Sequence, residues 1–372
     1  MERTFPRRPN LGMVGDEWLG AERSETDSGK AGAQGDSEGS KARQAMNFTV
    51  AYFSNRREPH FEWFIDALFS QSSDLNETQL VLVDYWLAPG HPHRPLEGRI
   101  DKMAKLVNGR CSFHHMPPKP TPWQGKHRQT SHDWFAASNA RNTALIVADG
   151  RTFVGVDDLS VPLPGWWDQI KHAAVHNYLA MGAYKKVREL RVENGNVISY
   201  RDDGKGNDSR WGTGSYGGIV VAPGSNLYGC SFALPLETAL KVDGFDEWCN
   251  RIGAEDYDFG LRVERTGVRA FYNRNMMTLE SSEGHEDEPS FKRDKCRVPV
   301  ERLPQSIQGG YPQGLDSDWV LVKTLIVDGG RTQPLEKNDL KGQRELWRNK
   351  GVFREPDAGA YDWASGLPLT QL

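Results

Sequence analysis

Short apolar runs alternate with segments of helical periodicity after residue 46. The runs at residues 47–53 and 79–84 predict buried strands, and apolar residues at helical spacing follow the first run after Pro59. A further buried strand is predicted at residues 152–156. Because strands and helices alternate in this way, the sequence predicts an α/β protein built on a parallel sheet.

Two longer helices stand out in the pattern. Residues 140–150 carry small apolar residues on one side, and this helix is expected to end near Gly150, since glycine often follows a last turn. Aromatic and apolar residues from Trp167 to Met181 share one helical face, which predicts a helix packed on the core. Further helices are predicted at 237–241, from Glu255 onward and at 338–347, with strands at 218–222 and 268–272.

The chain divides into three parts by composition. Residues 1–45 are rich in glycine, serine and charge and predict a disordered tail, so translation is hypothesised to start at Met46. Loss of folding in a chain that begins at Met46 would contradict this hypothesis. Residues 46–288 are expected to form the α/β domain, and residues 289–372 a C-terminal extension packed on it.

The glycine-rich stretch 191–218 is expected to be a mobile loop or a hairpin. It contains Gly212, Gly214 and Gly217 at the spacing GxGxxG. A dinucleotide-binding fingerprint also requires a preceding strand and a following helix, and the pattern predicts neither here. The glycines therefore do not indicate a Rossmann site.

Overall charge excludes a general affinity for nucleic acid. The formal net charge is -4, so a nucleic-acid partner would need a local basic patch. No apolar run approaches the ~20 residues that span a bilayer, and a soluble, cytoplasmic protein without a membrane partner is expected. The four cysteines form no CxxC pair and are expected to be buried thiols. The histidines at 91, 93, 114 and 115 are expected to lie in loops.

Acidic residues mark two candidate sites. Asp157 and Asp158 follow a buried strand, where ligands bind in open α/β sheets, and their oxygens suit Mg²⁺ or Mn²⁺. Two loop acids that cap the next turn are an equally good interpretation of this segment alone. Glu255 and Asp256 open a helix, where acids are stabilised by the dipole, yet one of them could act as a general base. His285 follows in a polar stretch and could complete a metal site.

The order of these segments resembles family 2 glycosyltransferases and their GT-A relatives, including the β-1,4-galactosyltransferases, over residues 47–285. The similar segments are the opening strand and helix, Asp84 after QLVLVD, Ala140-Arg141-Asn142, Val156-Asp157-Asp158, and GFDEWCNRIGAEDYDFGLR at 244–262. The resemblance implies a GT-A type α/β fold, with a mixed, mostly parallel central sheet flanked by helices. It also implies an inverting transfer of a sugar from a nucleotide diphosphate, with Mn²⁺ or Mg²⁺ as cofactor and a UDP-sugar as the first expectation.

The same resemblance assigns roles to residues of this chain. The nucleotide and its ribose would contact Ser54, Asn55, Arg56, Asp84, Arg141, Asn142 and Asp157. Val156 stands where the family's first acidic residue would be, so metal binding falls to Asp158 with His285 as the second protein ligand. Asp256 would be the catalytic base, and Glu255 would shape the site of the acceptor hydroxyl. Trp211 would stack on a sugar from a lid-like loop.

The acceptor is not defined by these motifs. A saccharide or another small hydroxyl compound is the default expectation, and a hydroxymethylated pyrimidine in DNA is the alternative. Basic pairs such as Arg56-Arg57 and Lys292-Arg293 favour the DNA alternative, although such clusters are more often solvated faces. A sugar-nucleotide or glycan-binding module without catalysis is the alternative of another class.

Overall fold

A computed structural model describes residues 47–72, 75–88, 98–121, 136–202, 204, 206–213, 218–247, 255–283 and 338–354, with short backbone segments at 361–362 and 367–368. The strands are β1 (Phe48–Ser54), β2 (Thr78–Asp84), β3 (Ser112–Met116), β4 (Thr152–Asp157), β5 (Ser160–Pro162), β6 (Leu179–Glu193), β7 (Asn196–Arg201), β8 (Ile219–Val221), β9 (Ser231–Pro235), β10 (Ala270–Ser281), β11 (Tyr361–Asp362) and β12 (Leu367–Pro368). The helices are α1 (Phe61–Gln71), α2 (Arg99–Val107), α3 (Ala137–Val147), α4 (Trp166–His176), α5 (Leu236–Lys241), α6 (Glu255–Glu264) and α7 (Leu340–Lys350).

The main sheet is mixed and has the order β3-β2-β1-β4-β9-β6-β10-β5, with β7 and β8 attached at its side. Strands β1, β2, β3 and β4 pair in parallel, and β10 pairs in parallel with β6. Strand β9 is antiparallel to both β4 and β6. The fold class that the sequence predicts, a mixed and mostly parallel sheet flanked by helices, is therefore confirmed.

Both faces of the sheet are covered, which is why its central strands lack polar alternation. Val50 and Tyr52 of β1 pack with α1, α2 and α4, whereas Ala51 and Phe53 pack with α3, α5, α6 and α7. Each strand therefore contributes to two cores. This double burial fixes the register of β1 and β4, whose carboxyl ends form the candidate site.

Helix α3 ends earlier than the sequence predicts. Its last residue is Val147, and Gly150 lies beyond it beside β1. A Cβ on Gly150 would lie 2.2 Å from the carbonyl carbon of Phe48. The glycine permits close approach of two backbones, so the prediction that it ends the helix is wrong.

Helix α4 also ends earlier than predicted. It stops at His176, and Asn177 adopts a left-handed conformation with φ of 50°. The residues that were expected to continue its apolar face, including Met181, belong to β6. The first residues of β6 are all buried, so no alternation distinguished a strand from a helix.

Residues 191–218, which were expected to form a mobile loop or a hairpin, contain the turn and the second strand of a hairpin. Strands β6 and β7 are joined at Asn194 and Gly195, whose φ angles of 49° and 71° are both positive. An Asn-Gly pair in this conformation is typical of a two-residue hairpin turn.

The expectation that the histidines lie in loops is wrong for His114 and His115, which lie in β3. His91 and His93 lie outside the described residues.

Two expectations from composition concern thiols and membranes. Cys111 and Cys230 are free, and Cys230 is buried; Cys249 and Cys296 lie outside the described residues. Cys111 is only half-buried, so the expectation of buried thiols holds for one of the two. Within the described ranges, none of the helices has the length and apolar character needed to cross a bilayer.

The C-terminal helix is tied to α3 by a buried cation. Arg344 of α7 donates to the carbonyl oxygens of Leu145, Ile146 and Ala148 at 2.5, 3.2 and 2.8 Å. These carbonyls follow the last intrahelical bonds of α3 and would otherwise lack donors. The residues after 337 therefore contribute to the helix that carries Arg141.

Replacement of Arg344 by leucine is expected to destabilise the protein by about 2–4 kcal/mol, because it leaves several buried carbonyls without a charged donor. The matched control is Arg348→Leu on the same helix. Arg348 is about half exposed and lies 3.6 Å from Asp149, so its loss should cost about 1 kcal/mol or less. Chemical denaturation would measure the change in the free energy of unfolding of each variant. Equal changes for the two variants would contradict the proposed capping role of Arg344.

Candidate active site

The candidate site begins where β1 and β4 end side by side. Phe53 pairs with Asp157 in this register, so Ser54 faces the acids that follow β4. The hydroxyl of Ser54 donates to Oδ2 of Asp158 at 2.9 Å, and Nε of Arg56 lies 3.5 Å from the same oxygen. The predicted nucleotide segment and the predicted metal ligand are therefore in direct contact.

Asp158 is the less exposed of the two adjacent acids. Its side chain is 13% exposed, against 38% for Asp157. Burial raises the pKa of Asp158 to about 6, although Arg56 and the Ser54 hydroxyl act in the opposite direction. Burial thus destabilises the ionised form of Asp158, and a bound cation would stabilise it.

Arg141 connects the two acidic segments. Its side chain is 4% exposed, and its two terminal nitrogens contact Oδ1 of Asp157 at 3.0 Å and Oε1 of Glu255 at 2.8 Å. Burial alone would lower the pKa of Arg141, but the carboxylates of Asp157, Glu255 and Asp256 outweigh burial and raise it. A permanent positive charge therefore lies between the end of β4 and the start of α6.

Gly229 makes room for this arrangement and was not found by sequence reasoning. A Cβ at this position would lie 1.8 Å from a terminal nitrogen of Arg141. Its backbone N–H donates to Oδ2 of Asp256 at 3.0 Å. The glycine thus holds Asp256 and lets Arg141 pass, a pairing that only the tertiary structure shows.

Asp256 has the properties of a poised carboxylate. Burial and the neighbouring charge of Glu255 together raise its pKa to about 6, although Arg141 acts in the opposite direction. The side chain is partly buried in the first turn of α6. An acid of this pKa is ionised at pH 7 and accepts a proton more readily than an ordinary aspartate.

The side chain of Asn142 hydrogen-bonds the segment that precedes α6. Its amide donates to the carbonyl of Phe245 at 2.7 Å and accepts from the N–H of Phe245 at 2.8 Å. Nδ2 of Asn142 also contacts Glu247 at 2.9 Å. All described contacts of this amide are with the 244–247 segment, so it fixes that segment against α3.

Asp84 lies at the centre of a buried network behind β1. It accepts from Arg99 and from the Trp86 N–H, and Nε2 of His115 lies 2.9 Å from its Oδ2. Burial tends to raise the pKa of Asp84, but hydrogen bonds from His115 and Arg99 outweigh it and lower the pKa. Since Asp84 is 0% exposed, a nucleotide could reach it only by displacing one of these partners.

Arg99 extends this network to the predicted nucleotide segment. Its terminal nitrogens donate to the carbonyls of Arg57 at 2.6 Å and Arg56 at 2.9 Å. The side chain of Trp86 donates to the carbonyl of Asn55 at 2.9 Å. Asp84 therefore shapes the backbone that follows β1. Neither Arg99 nor His115 was identified from the sequence, which gives no signal for this pairing.

Trp211, which was expected to stack on a sugar, is an exposed aromatic residue on a short turn. It is 48% exposed and lies on a short 3-10 turn, Ser209–Gly212. The preceding residue anchors this turn, because the Arg210 guanidinium lies 4.2 Å from the centre of the Tyr228 ring and bonds Asp208. A bulge in β10 lets Arg274 donate to the carbonyl of Trp211. The indole is therefore presented on a well-supported turn.

Glu280 is a further acid that sequence reasoning missed. It is 5% exposed on β10 and pairs in register with Ser160 of β5. Burial and, to a smaller extent, the charges of Asp157 and Asp158 raise its pKa to about 7, although Lys186 acts in the opposite direction. The sequence signal that could have identified Glu280 is a single acidic residue at the end of an apolar run.

A divalent cation is chemically compatible with the end of β4. Asp157 and Asp158 supply the hard oxygen ligands that Mg²⁺ and Mn²⁺ prefer, and one oxygen of Asp157 receives no hydrogen bond from the described residues. Across the described ranges, no three metal-binding side chains converge on one point. His285 lies outside the described residues, so the predicted ligand set is described only in part.

Comparison with known proteins gives similarity in structure only. No protein-family model and no curated protein matches the chain. Three similar solved structures are S. aureus TarS 1-349 at 15% identity, the mannosyltransferase PcManGT from Pyrobaculum calidifontis in complex with GDP-Man and Mn²⁺ at 17%, and GalNAc-T7 with UDP, GalNAc and Mn²⁺ at 12%. They cover 64%, 64% and 83% of this chain, with TM-scores of 0.43, 0.41 and 0.45. The chain spans 61%, 58% and 56% of those proteins' lengths.

The raised pKa of Glu280 predicts a pH dependence of stability. With a pKa of about 7 in the folded protein and an ordinary value near 4 in the unfolded chain, Glu280 binds its proton more tightly when folded. Its contribution to stability is therefore lost as the pH rises from about 4 to about 7. Relative to wild type, Glu280→Gln should be more stable at pH 7.5 than at pH 5.

Thermal unfolding of both proteins across this range would measure the difference. Glu237→Gln is the matched control, since Glu237 is exposed on α5, and its difference from wild type should not change with pH. A Glu280→Gln difference that is constant or reversed in sign would contradict the burial of an ionisable acid here.

Proposed function

We propose that this protein is a glycosyltransferase that uses a nucleotide-diphosphate sugar and inverts the anomeric centre. The observation that carries the proposal is the bridge of Arg141 between Asp157 and Glu255. It brings an acidic segment suited to a diphosphate-bound cation beside a second acidic segment that holds a poised base. The resemblance of the sequence motifs to GT-A enzymes supports the same interpretation.

The donor would lie at the carboxyl ends of β1 and β4. Ser54, Asn55 and Arg56 would face the nucleotide, on a backbone that Arg99 and Trp86 hold in place. Asp157 is exposed enough to contact the ribose or a bound water. Asp158 and His285 are the proposed protein ligands of a divalent cation, which would supply positive charge to stabilise the diphosphate.

The acceptor would lie beside the first turn of α6. Asp256 would accept the proton of the acceptor hydroxyl, whose oxygen then forms a bond to the anomeric carbon. The bond from that carbon to the diphosphate oxygen breaks at the same time, and the nucleoside diphosphate leaves with the electron pair. Glu255, fixed by Arg141, would orient the hydroxyl, and Trp211 would stack on a sugar ring.

A UDP-sugar is the first donor to test, and a saccharide is the first acceptor. Within this proposal the catalytic domain comprises residues 46–288, and residues 289–372 support it through α7. The contacts of Arg344 with the end of α3 favour such a supporting role.

The proposal predicts turnover of a sugar nucleotide that depends on Asp256. Purified protein with Mn²⁺ would be incubated with UDP-, GDP- and TDP-sugars, with and without saccharides or hydroxymethylated DNA, and nucleotide release followed. Asp256→Asn should lower kcat by about 100-fold or more, because it removes the base, while donor binding remains. Asp168→Asn, an exposed acid on α4 paired with Lys171, is the matched control and should retain full activity.

Donor binding without release under any condition would favour the non-catalytic module instead. Stimulation of release by hydroxymethylated DNA and by no saccharide would identify DNA as the acceptor. An Asp256→Asn variant with unchanged kcat would contradict the assigned base.

The coupled acids predict a specific pH profile. Since Asp256 must be ionised and its pKa is raised to about 6, kcat/KM should fall as the pH decreases through about 6. Glu255→Gln removes a negative charge that raises the pKa of Asp256, so the acid limb should move to lower pH. A limb that stays in place or moves to higher pH in this variant would contradict the coupling.

A further inference from the structure

Glu280 is a buried acid beside the proposed donor site that has no role in the mechanism above. It lies at the end of β10, opposite Ser160 and alongside Lys186 of β6 in the sheet register. Ser160 comes two residues after Asp158 in the chain. The N–H of Ser281, the next residue, donates to the carbonyl of Leu159 at 3.0 Å, so the end of β10 lies directly beside the segment that carries Asp157 and Asp158.

One oxygen of Glu280 lacks a donor. Oε2 lies 3.6 Å from the ammonium of Lys186, whereas Oε1 is buried and accepts no hydrogen bond from the described residues. A buried carboxylate oxygen without a donor carries a substantial free-energy cost, and native proteins rarely leave one in this state. The structure therefore holds a buried acceptor that a bound hydroxyl group would satisfy.

The groups around Glu280 suit a polyhydroxylated ligand. Tyr184 lies two residues before Lys186 on β6 and pairs in register with Thr278, so it shares the sheet face of Lys186 and Glu280. Lys186 is partly exposed and supplies a charged donor beside the carboxyl. A carboxylate, an ammonium and a phenol together can bind neighbouring hydroxyls of a sugar as acceptors and donors.

We propose that Glu280 is a specificity-determining residue that accepts a hydrogen bond from a ring hydroxyl of the transferred sugar. This inference rests on the proposed function and extends it to recognition of the donor sugar. The nucleoside diphosphate itself would not contact Glu280. A donor that lacks the recognised hydroxyl would leave the buried oxygen without its partner and would be rejected.

The test compares UDP alone, the sugar nucleotide that wild type consumes, and the singly deoxygenated analogues of that donor. For one analogue, wild type should lose about 10- to 100-fold in kcat/KM, the range expected for one hydrogen bond to a charged group. Glu280→Gln should show a similar loss with the parent donor but little further loss with that analogue, because the interaction is already removed. Its Kd for UDP should equal that of wild type.

Asn275→Ala is the matched control on the same strand. Asn275 is exposed and lies five residues before Glu280, so this variant should discriminate among the analogues as wild type does. Thermal unfolding would confirm that each variant folds. If Glu280→Gln does not fold, Lys186→Gln supplies the second measurement, with a smaller loss expected for the same analogue.

The outcomes separate this inference from the proposed function. If wild type neither binds nor consumes any sugar nucleotide, the proposed function fails and the inference fails with it. If wild type turns over a donor but Glu280→Gln gives the same relative loss for every analogue as wild type, only the role of Glu280 is overturned. Equal weakening of UDP and donor binding would likewise assign Glu280 a structural role.

Discussion

The buried guanidinium of Arg141 is the interaction on which the candidate site depends. It lies on α3 and contacts an acid at the end of β4 and another at the start of α6. The charge is permanent, because the two carboxylates stabilise it against burial. Asp157 and Glu255 share the Arg141 guanidinium, and each acid depends on it for its position. The sheet and the acceptor-side helix are thereby joined at one point.

Much of the surrounding structure keeps α3 in place for this purpose. The helix is buried on all sides, although several of its residues are polar. Asn142 satisfies the backbone of Phe245, and Arg344 satisfies the carbonyls at the C-terminal end. These contacts satisfy many of the polar groups of a helix that lies within the core. Position and electrostatics of the site are therefore consequences of how α3 is packed.

The sequence predicts the elements with strong local patterns. Buried strands such as β1 and β4 have apolar runs, and the acids that follow β4 and open α6 are visible as motifs. It fails at the boundary between α4 and β6, where buried residues continue without alternation. Gly229, Arg99 and Glu280 could not be predicted either, since each acts through partners that are distant in the chain. Asp84 is visible as a strand-terminal acid, but its burial against Arg99 is a tertiary property.

The most direct test of one joined site is a crystal structure of the Asp256→Asn variant with Mn²⁺ and UDP. We predict that the diphosphate lies at the ends of β1 and β4, beside Ser54 and the acids at 157 and 158. We also predict that Arg141 remains in contact with both Asp157 and Glu255. A nucleotide bound elsewhere, or an Arg141 side chain that contacts neither acid, would contradict the central claim.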